Sequence, residues 1–87
     1  MRYAARVDAN QAIIVEALRK AGAYVWIIGL PVDLLVGKDS KCWLVEIKRD
    51  RKARYTALQR DFFEKWPGCP LVRIESVEQA LKLIGAV

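Results

Sequence analysis

The chain has 87 residues, 54% of them hydrophobic, and a formal net charge of +5 at pH 7. This length allows one domain with a single core, and no apolar run reaches the roughly 20 residues that a membrane span needs. The first residues lack the apolar segment of a signal peptide. We therefore predict one domain over residues 1–87 in the cytoplasm, with no membrane partner.

The sequence has no histidine and two cysteines. Without histidine, proton transfer and metal ligation fall to carboxylates, lysine, tyrosine or water. Cys42 and Cys69 are far apart in sequence and form no CxxC, so they indicate neither a disulfide framework nor a zinc site. We predict that both are small buried hydrophobic residues. Histidine-based triads and zinc fingers are excluded.

A helix is predicted over residues 8–20 and a strand over residues 24–28. Asp8 is placed to cap the helix, Gln11 is its capping-box partner, and a glycine follows the last turn. The strand is rich in β-branched and aromatic residues. Its apolar run 26–28 indicates either a strand buried on both faces or part of a subunit interface. The small size favours a homodimer.

The centre of the chain predicts a β-hairpin. Residues 33–36 and 42–48 are apolar runs, and the Gly-Lys-Asp-Ser between them is a composition typical of tight turns. We place the turn at Lys38 and Asp39. A slip of one residue in this register would turn the first residue of the hairpin, an aspartate, to the opposite face.

This hairpin predicts a cluster of polar side chains. Asp33 lies opposite Leu44 and diagonal to Glu46, roughly 7 to 8 Å away, a span that one metal ion can bridge. Side chains alternate along a strand, so Glu46 and Lys48 share a face, roughly 6.5 Å apart. Two carboxylates without thiolate or imidazole favour Mg²⁺ or Mn²⁺. With Lys48 placed to hold water and offset charge on a phosphate, the set best supports metal-assisted phosphodiester hydrolysis.

The C-terminal part predicts two more helices and a strand. Thr56 caps a helix that runs to about residue 66, a strand covers residues 71–74, and Ser76 caps the last helix. The order α, three β, α, β, α predicts an α/β fold with a mixed sheet flanked by helices. The apolar stripe of the middle helix is predicted to be core; its members are Phe62, Phe63 and Trp66.

Positive charge is concentrated just after the Glu-Ile-Lys tripeptide. Six of the 15 basic residues lie between positions 48 and 60, and Asp50 is the only acidic residue in that stretch. A solvated loop is the alternative, but the neighbouring carboxylates favour a surface that tracks a phosphate backbone. The predicted nucleic-acid contacts are Arg49, Arg51, Lys52, Arg54 and Arg60.

The stretch from PVDLLVG through WLVEIK resembles the signature of the PD-(D/E)XK nuclease superfamily. In that superfamily an Asp and an acid-x-Lys occupy adjacent strands of an αβββαβ core, and the 12 residues between Asp33 and Glu46 fit a short hairpin. The chain, from RVDANQAIIVEALRKAG to VRIESVEQALKLIG, is similar to the small stand-alone VRR-NUC-like nucleases of bacteriophages and bacteria, a group akin to Holliday junction resolvases. One departure is Val32, which stands where many members have proline directly before the Asp.

The resemblance implies the roles of the central residues. A metal would be held by Asp33, Glu46 and the backbone carbonyl of Ile47, and Lys48 would be the catalytic lysine. The substrate would be DNA, in the cytoplasm of a bacterium or a phage-infected host. The resemblance covers nearly every residue of the chain.

Two helical positions are further candidates. Family members often place an acidic or amide residue on the first helix near the metal, and here Asn10 and Gln11 can face the sheet whereas Glu16 points away. Gln11 is alternatively part of the capping box. Gln59 resembles the glutamine of the family's later helix, and it either caps with Thr56 or reaches the active-site face.

Three functions remain open. The first is a metal-dependent endonuclease acting on branched or structured DNA, with nicking or cutting of ordinary duplex as a variant. The second is a nucleic-acid-binding module of the same fold without cleavage. The third is an interaction protein of a phage or toxin system with an acidic partner. The basic residues that follow Glu46 count against the third function.

Overall fold

A computed structural model describes residues 9–87 of the chain. The elements are α1 (Ala9–Lys20), β1 (Tyr24–Ile27), β2 (Leu34–Lys38), β3 (Lys41–Ile47), α2 (Ala57–Lys65), β4 (Leu71–Ile74) and α3 (Val77–Leu83). The predicted order of elements is confirmed. Asp8, the predicted cap of α1, lies outside the described residues. Within residues 9–87 no helix is both long and apolar enough to cross a membrane.

The four strands form one mixed sheet in the order β1-β2-β3-β4, as predicted for the fold class. The first two pairings are antiparallel and the last is parallel. A parallel pair needs a crossover between its strands. Here α2 and its flanking loops provide the crossover from β3 to β4, and this connection carries the whole basic run.

The β2–β3 hairpin turns one residue later than predicted. Asp39 and Ser40, both at positive φ, form the turn, and Lys38 pairs with Lys41. Two-residue turns with positive φ at both positions match the right-handed twist of the flanking strands. The predicted turn at Lys38 and Asp39 is therefore wrong by one position.

This correction moves the strand pairing by two residues. Leu34 pairs with Val45, so the same register sets Asp33 opposite Glu46 instead of opposite Leu44. Because side chains alternate with a period of two, a shift of two residues leaves every side chain on its predicted face. Asp33 and Glu46 thus share a face, as direct neighbours and not as diagonal ones.

Helices α1 and α3 pack against one face of the sheet and against each other. Gly22, at a φ of 98°, ends α1 as predicted. Trp43 packs against this core, and Val45 and Ile47 are buried in it, as predicted from strand alternation. Burial of each large aliphatic side chain contributes roughly 1.5 to 3 kcal/mol. The buried side chains of the core include Ile14, Val15, Leu18, Val25, Leu34, Val36, Ile74, Ala80 and Ile84.

Helix α2 lies on the opposite face, and none of its residues is buried. The predicted core stripe of this helix is therefore wrong: Phe62 and Phe63 are half-buried and Trp66 is exposed. Helical periodicity marks an apolar face, but here the sheet covers that face only in part. The rings instead contact each other and Tyr55, with centroids 5.2 Å apart for Phe62 and Trp66 and 4.6 Å apart for Tyr55 and Phe63.

Two further predictions of burial are corrected. Cys42 is exposed and Cys69 is half-buried, because Cys42 lies near the start of β3, Cys69 lies in the loop before β4, and both are outside the core cluster. In the run 26–28, Trp26 is 58% exposed, so β1 is not buried on both faces. The strand lies at the edge of the sheet, and the described chain covers only the face that carries Val25. A subunit interface at this run stays a prediction.

Candidate active site

Asp33 lies directly before β2, at the end of the loop from β1. Backbone hydrogen bonds join the two ends of this loop. The Asp33 carbonyl accepts hydrogen bonds from the N–H groups of Ile28 (2.8 Å) and Gly29 (3.2 Å). Its neighbour Val32 is fully buried and anchors the loop to the core. The N–H of Ile47 donates to Asp33 Oδ2 at 2.8 Å. The carboxylate is therefore fixed against the end of β3.

Glu46 and Lys48 form an ion pair on the face opposite the core. Glu46 is the only charged residue that is buried among the described residues, with 4% of its surface exposed. Lys48 Nζ lies 3.0 Å from Glu46 Oε2, which confirms that the two side chains share a face. A buried carboxylate is costly unless it is paired and hydrogen-bonded. The pairing with Lys48 offsets this cost.

Gln59, on the first turn of α2, contacts both members of that pair. Its Nε2 donates to Glu46 Oε2 at 2.7 Å, and its Oε1 accepts from Lys48 Nζ at 3.2 Å. The same Oε1 accepts from the N–H of Thr56, and Thr56 Oγ1 accepts from the N–H of Gln59. Both predicted alternatives are therefore present at once. The capping box fixes the start of α2 so that the amide reaches the carboxylate.

The second oxygen of Glu46 is left without a partner. Glu46 Oε1 is buried and accepts no hydrogen bond within the described chain. Burial, the largest cause, and the nearby Glu46 carboxylate together raise the pKa of Asp33 from its ordinary value of 3.8 to about 6, although the Ile47 N–H and Lys48 act to lower it. Two acids thus face each other in a partly dry setting. Such a pair favours a shared proton or a bound cation.

The Ile47 carbonyl completes the set of oxygens. The N–H of Lys48 donates to Ile74 on β4, so the N–H and C=O of the preceding residue point to the other side of β3. The bond from Ile47 N–H to Asp33 agrees with this direction. Over residues 9–87 no three His, Cys, Asp or Glu side chains form a metal-binding group. Two carboxylates and one carbonyl are hard donors, and they fit Mg²⁺ or Mn²⁺ better than Zn²⁺.

The first-helix candidates differ in position. Asn10 Nδ2 donates to the carbonyls of Lys48 (3.4 Å) and Glu75 (3.2 Å), so it joins α1 to the ends of β3 and β4 behind the site. Gln11 lines a surface groove beside β1, and no hydrogen bond between described residues joins it to either site carboxylate. Glu16 is exposed, in accord with its prediction. Asn10 therefore supports the backbone of the site.

A basic loop over residues 49–55 borders the site. Asp50 Oδ1 accepts the N–H groups of Lys52 (2.8 Å) and Ala53 (3.1 Å), so the acid of this loop shapes its turn. The basic side chains point to solvent, which leaves them available to an anionic partner. The exposed members are Arg49, Arg51, Lys52, Arg54 and, on α2, Arg60.

Sequence reasoning missed two residues that hold this loop. Arg73 pairs with Glu46 across β3 and β4, and its guanidinium donates to the carbonyls of Asp50 (2.7 Å) and Ala53 (2.8 Å). The ring of Tyr55 lies under Arg73 and also under Lys48, with centroid distances of 5.1 and 5.5 Å. A charged residue inside the apolar strand LVRI was the available signal for Arg73. Nothing local marks Tyr55.

The structure brings together the central predicted residues, Asp33, Glu46, Ile47, Lys48 and Gln59, at one end of β3. The predicted nucleic-acid contacts lie beside them on the crossover. Comparisons with protein-family models, curated proteins and solved structures gave no match for this chain. The assignment of a function therefore depends on the geometry and chemistry of the site itself.

Proposed function

We propose that this protein is a divalent-metal-dependent endonuclease that hydrolyses DNA phosphodiester bonds, with branched or junction DNA as its preferred substrate. The observation that carries the proposal is the joining of two carboxylates, a lysine and a glutamine at the end of β3, beside an exposed basic loop. Neither a purely structural ion pair nor a solvated loop requires this combination.

The order of elements supports a PD-(D/E)XK core of the VRR-NUC-like type. Asp33 directly precedes β2, Glu46 lies at the end of the adjacent β3 and Lys48 directly follows it, which is the arrangement that the resemblance implies. The departure at Val32 does not displace the Asp, because the buried valine anchors the loop and the Asp33 carboxylate still meets the end of β3.

The oxygens at the site fit a small divalent cation. Asp33, Glu46 and the carbonyl of Ile47 would hold Mg²⁺ or Mn²⁺, and the partnerless Glu46 Oε1 is the donor that most needs a cation. When bound, the ion supplies Lewis-acid chemistry to a phosphodiester. A bound cation would also offset the repulsion between the two carboxylates, which adds to burial in raising the pKa of Asp33.

Lys48 and Gln59 supply the groups that act on substrate and water. The Lys48 ammonium can hold the attacking water and offset negative charge that develops on the phosphate. Gln59 accepts from this ammonium and donates to Glu46, so it keeps both side chains in one orientation. Packing of Lys48 against the Tyr55 ring limits its rotation further.

DNA is the proposed partner because the charge next to the site is positive and exposed. The basic side chains of the loop can track a phosphate backbone toward Lys48. A homodimer would offer two sites to two strands, and the exposed Trp26 and Ile27 at the sheet edge support such an interface. The basic loop alone would also suit a binding module without cleavage, which is the second candidate.

The test is a cleavage assay with labelled four-way-junction, nicked, linear and single-stranded DNA in Mg²⁺, Mn²⁺ or EDTA. Wild type should cut in either metal and not in EDTA. Glu46→Gln should lower the rate by at least about 100-fold, because it removes the charge that faces Asp33. The matched control is Glu64→Gln, which neutralises an exposed carboxylate on α2 and should leave the rate within about twofold.

The outcomes separate the candidates. If wild type binds these DNAs and cuts none of them in either metal, the binding module is the better assignment. Equal rates for wild type and Glu46→Gln would place the activity elsewhere in the chain or in a contaminant. The fastest-cut substrate decides between junction DNA and ordinary or nicked duplex.

DNA binding by the basic loop has a separate test in the salt dependence of affinity. The double variant Arg51→Ala with Lys52→Ala should lower the slope of log K against log salt by about 2. The control pair Lys20→Ala with Lys82→Ala removes the same charge from α1 and α3 and should leave the slope unchanged. Equal slopes for the two variants would mean that the loop is not the DNA contact.

A further inference from the structure

The two cysteines, far apart in sequence, face each other where β3 and β4 begin to pair. The parallel register begins with Leu44 paired to Leu71, and extending the same offset by two residues places Cys42 opposite Cys69 in the loop before β4. The N–H of Leu44 donates to the carbonyl of Pro70 at 2.9 Å, so the ladder continues toward the cysteines. Adjacent strands lie roughly 4.8 Å apart. Disulfides span Cα separations of roughly 4.4 to 6.8 Å, which this spacing satisfies.

The two thiols differ in accessibility. Cys42 is exposed and Cys69 is half-buried. Burial and the adjacent Cys42 thiol raise the pKa of Cys69. Trp66 Nε1 donates to the carbonyl of Cys69 at 2.8 Å and fixes the backbone at this point. The pair therefore offers one thiol that is open to reagents and a second, half-buried thiol beside it.

We propose that Cys42 and Cys69 are an oxidation site that takes a low-molecular-weight disulfide as its substrate and forms a reversible disulfide bond. The Cys42 thiolate attacks the reagent disulfide, whose S–S bond breaks, and one reagent thiol leaves. The Cys69 thiolate then attacks the mixed disulfide on Cys42, and the second reagent thiol leaves. The protein loses two protons and two electrons, and the reagent gains them as two thiols.

This bond would close a ring around the candidate site. The 26 residues between the cysteines include Glu46, Lys48, the basic loop and all of α2. Helix α2 has no buried side chain to hold it on the sheet, so a covalent tie at the far end of the crossover restricts the unfolded chain and the opening of this helix. Oxidation of the cysteine pair is a separate property from the proposed nuclease activity and does not depend on it.

The test uses the intact wild-type protein and oxidised glutathione at about pH 8, where thiolates form. Free thiols are then blocked with a maleimide and the mass is measured. The expected product is a monomer that has lost two hydrogens and carries neither glutathione nor maleimide. Dithiothreitol should restore two reactive thiols. The oxidised form should melt at least about 10 °C above the reduced form.

The single variants Cys42→Ser and Cys69→Ser control for the order of attack. Cys42→Ser should react slowly, whereas Cys69→Ser should stop at one stable glutathione adduct on Cys42. Three results with wild type would overturn the proposal: a stable glutathione adduct, a disulfide between two chains, or no reaction. Each of these three results is measured on the wild-type protein, so misfolding of a variant cannot account for it.

Discussion

The two faces of the sheet obtain their order in different ways. On the face that packs with α1 and α3, order comes from buried aliphatic side chains, several of which have no exposed surface. On the face beneath α2, order comes from hydrogen bonds and ion pairs around Glu46, and no side chain of α2 is buried. Apolar packing tolerates small displacements, whereas polar contacts of this kind depend on a few atoms.

This difference indicates a division of labour. The packed face buries the apolar side chains whose burial favours folding, and the side chains of Asp33, Glu46 and Lys48 lie outside this cluster. The polar face holds a buried carboxylate with an unsatisfied oxygen, which costs stability in the absence of a cation. The site is therefore expected to be less stable than the scaffold and to gain stability from what it binds.

The largest effect should come from removing packed volume. Leu18→Ala should lower the free energy of unfolding by about 2 to 5 kcal/mol, because Leu18 is 1% exposed in the core. Leu58→Ala, the same change on α2, should cost less than about 0.5 kcal/mol, because Leu58 is 83% exposed. Urea unfolding of both variants measures this. Equal losses would show that α2 is packed more tightly than the contacts indicate.

The next effect should come from Arg73→Lys. A lysine keeps the charge but cannot bond at once to Glu75 and to the carbonyls of Asp50 and Ala53. We expect a loss of about 2 kcal/mol and faster amide hydrogen exchange in residues 50–55. Exchange in α1 should not change. If exchange in the basic loop stayed as in wild type, Arg73 would not be its anchor.

A third, similar effect depends on pH. The folded pKa of Asp33, about 6, exceeds its ordinary value of 3.8, so folding favours the protonated acid and stability falls as pH rises through about 6. The variant Asp33→Asn has a side chain that does not ionise, so its stability lacks this pH dependence. In EDTA it should be more stable than wild type by about 1 to 2 kcal/mol above pH 7 and equal to it below about pH 4. Thermal melts across this range provide the measurement; a constant difference would contradict the assignment.

The smallest effect should come from the cap of α2. Thr56→Ala removes the acceptor for the Gln59 N–H and should cost about 1 kcal/mol. It should also slow cleavage several-fold, because it loosens the amide that holds Glu46. Ser76→Ala, at the cap of α3, should cost a similar free energy without slowing cleavage. A rate loss in both variants would point to general destabilisation.

Much of the fold could be predicted because its signals are local. Thr56 and Ser76 mark the starts of α2 and α3, and the alternation Trp43, Val45, Ile47 against Glu46 fixes the faces of β3. The turn position could not be chosen, since Lys-Asp and Asp-Ser are both acceptable turn pairs in that tetrapeptide. The two registers place every strand side chain on the same face, so the apolar pattern does not decide between them.

The parts of the site that were missed depend on non-local pairing. Arg73 meets Glu46, and Cys69 meets Cys42, only after the crossover returns the chain beside β3. Sequence spacing gives no measure of such contacts. The prediction that the aromatic stripe of α2 is buried was wrong for another reason. Periodicity indicates which side of a helix is apolar, but not how completely a neighbouring element covers that side.

The two-residue pairing change in the hairpin also bears on how the gene can vary. A single codon inserted within β3 before Val45 would turn the Glu46 carboxylate into the core and send Val45 outward, unless a bulge absorbed the extra residue. Two codons would restore both faces. Insertions and deletions in this stretch should therefore involve even numbers of residues. At the turn formed by Asp39 and Ser40, a single added residue would be tolerated, because it does not change which face the strand residues occupy.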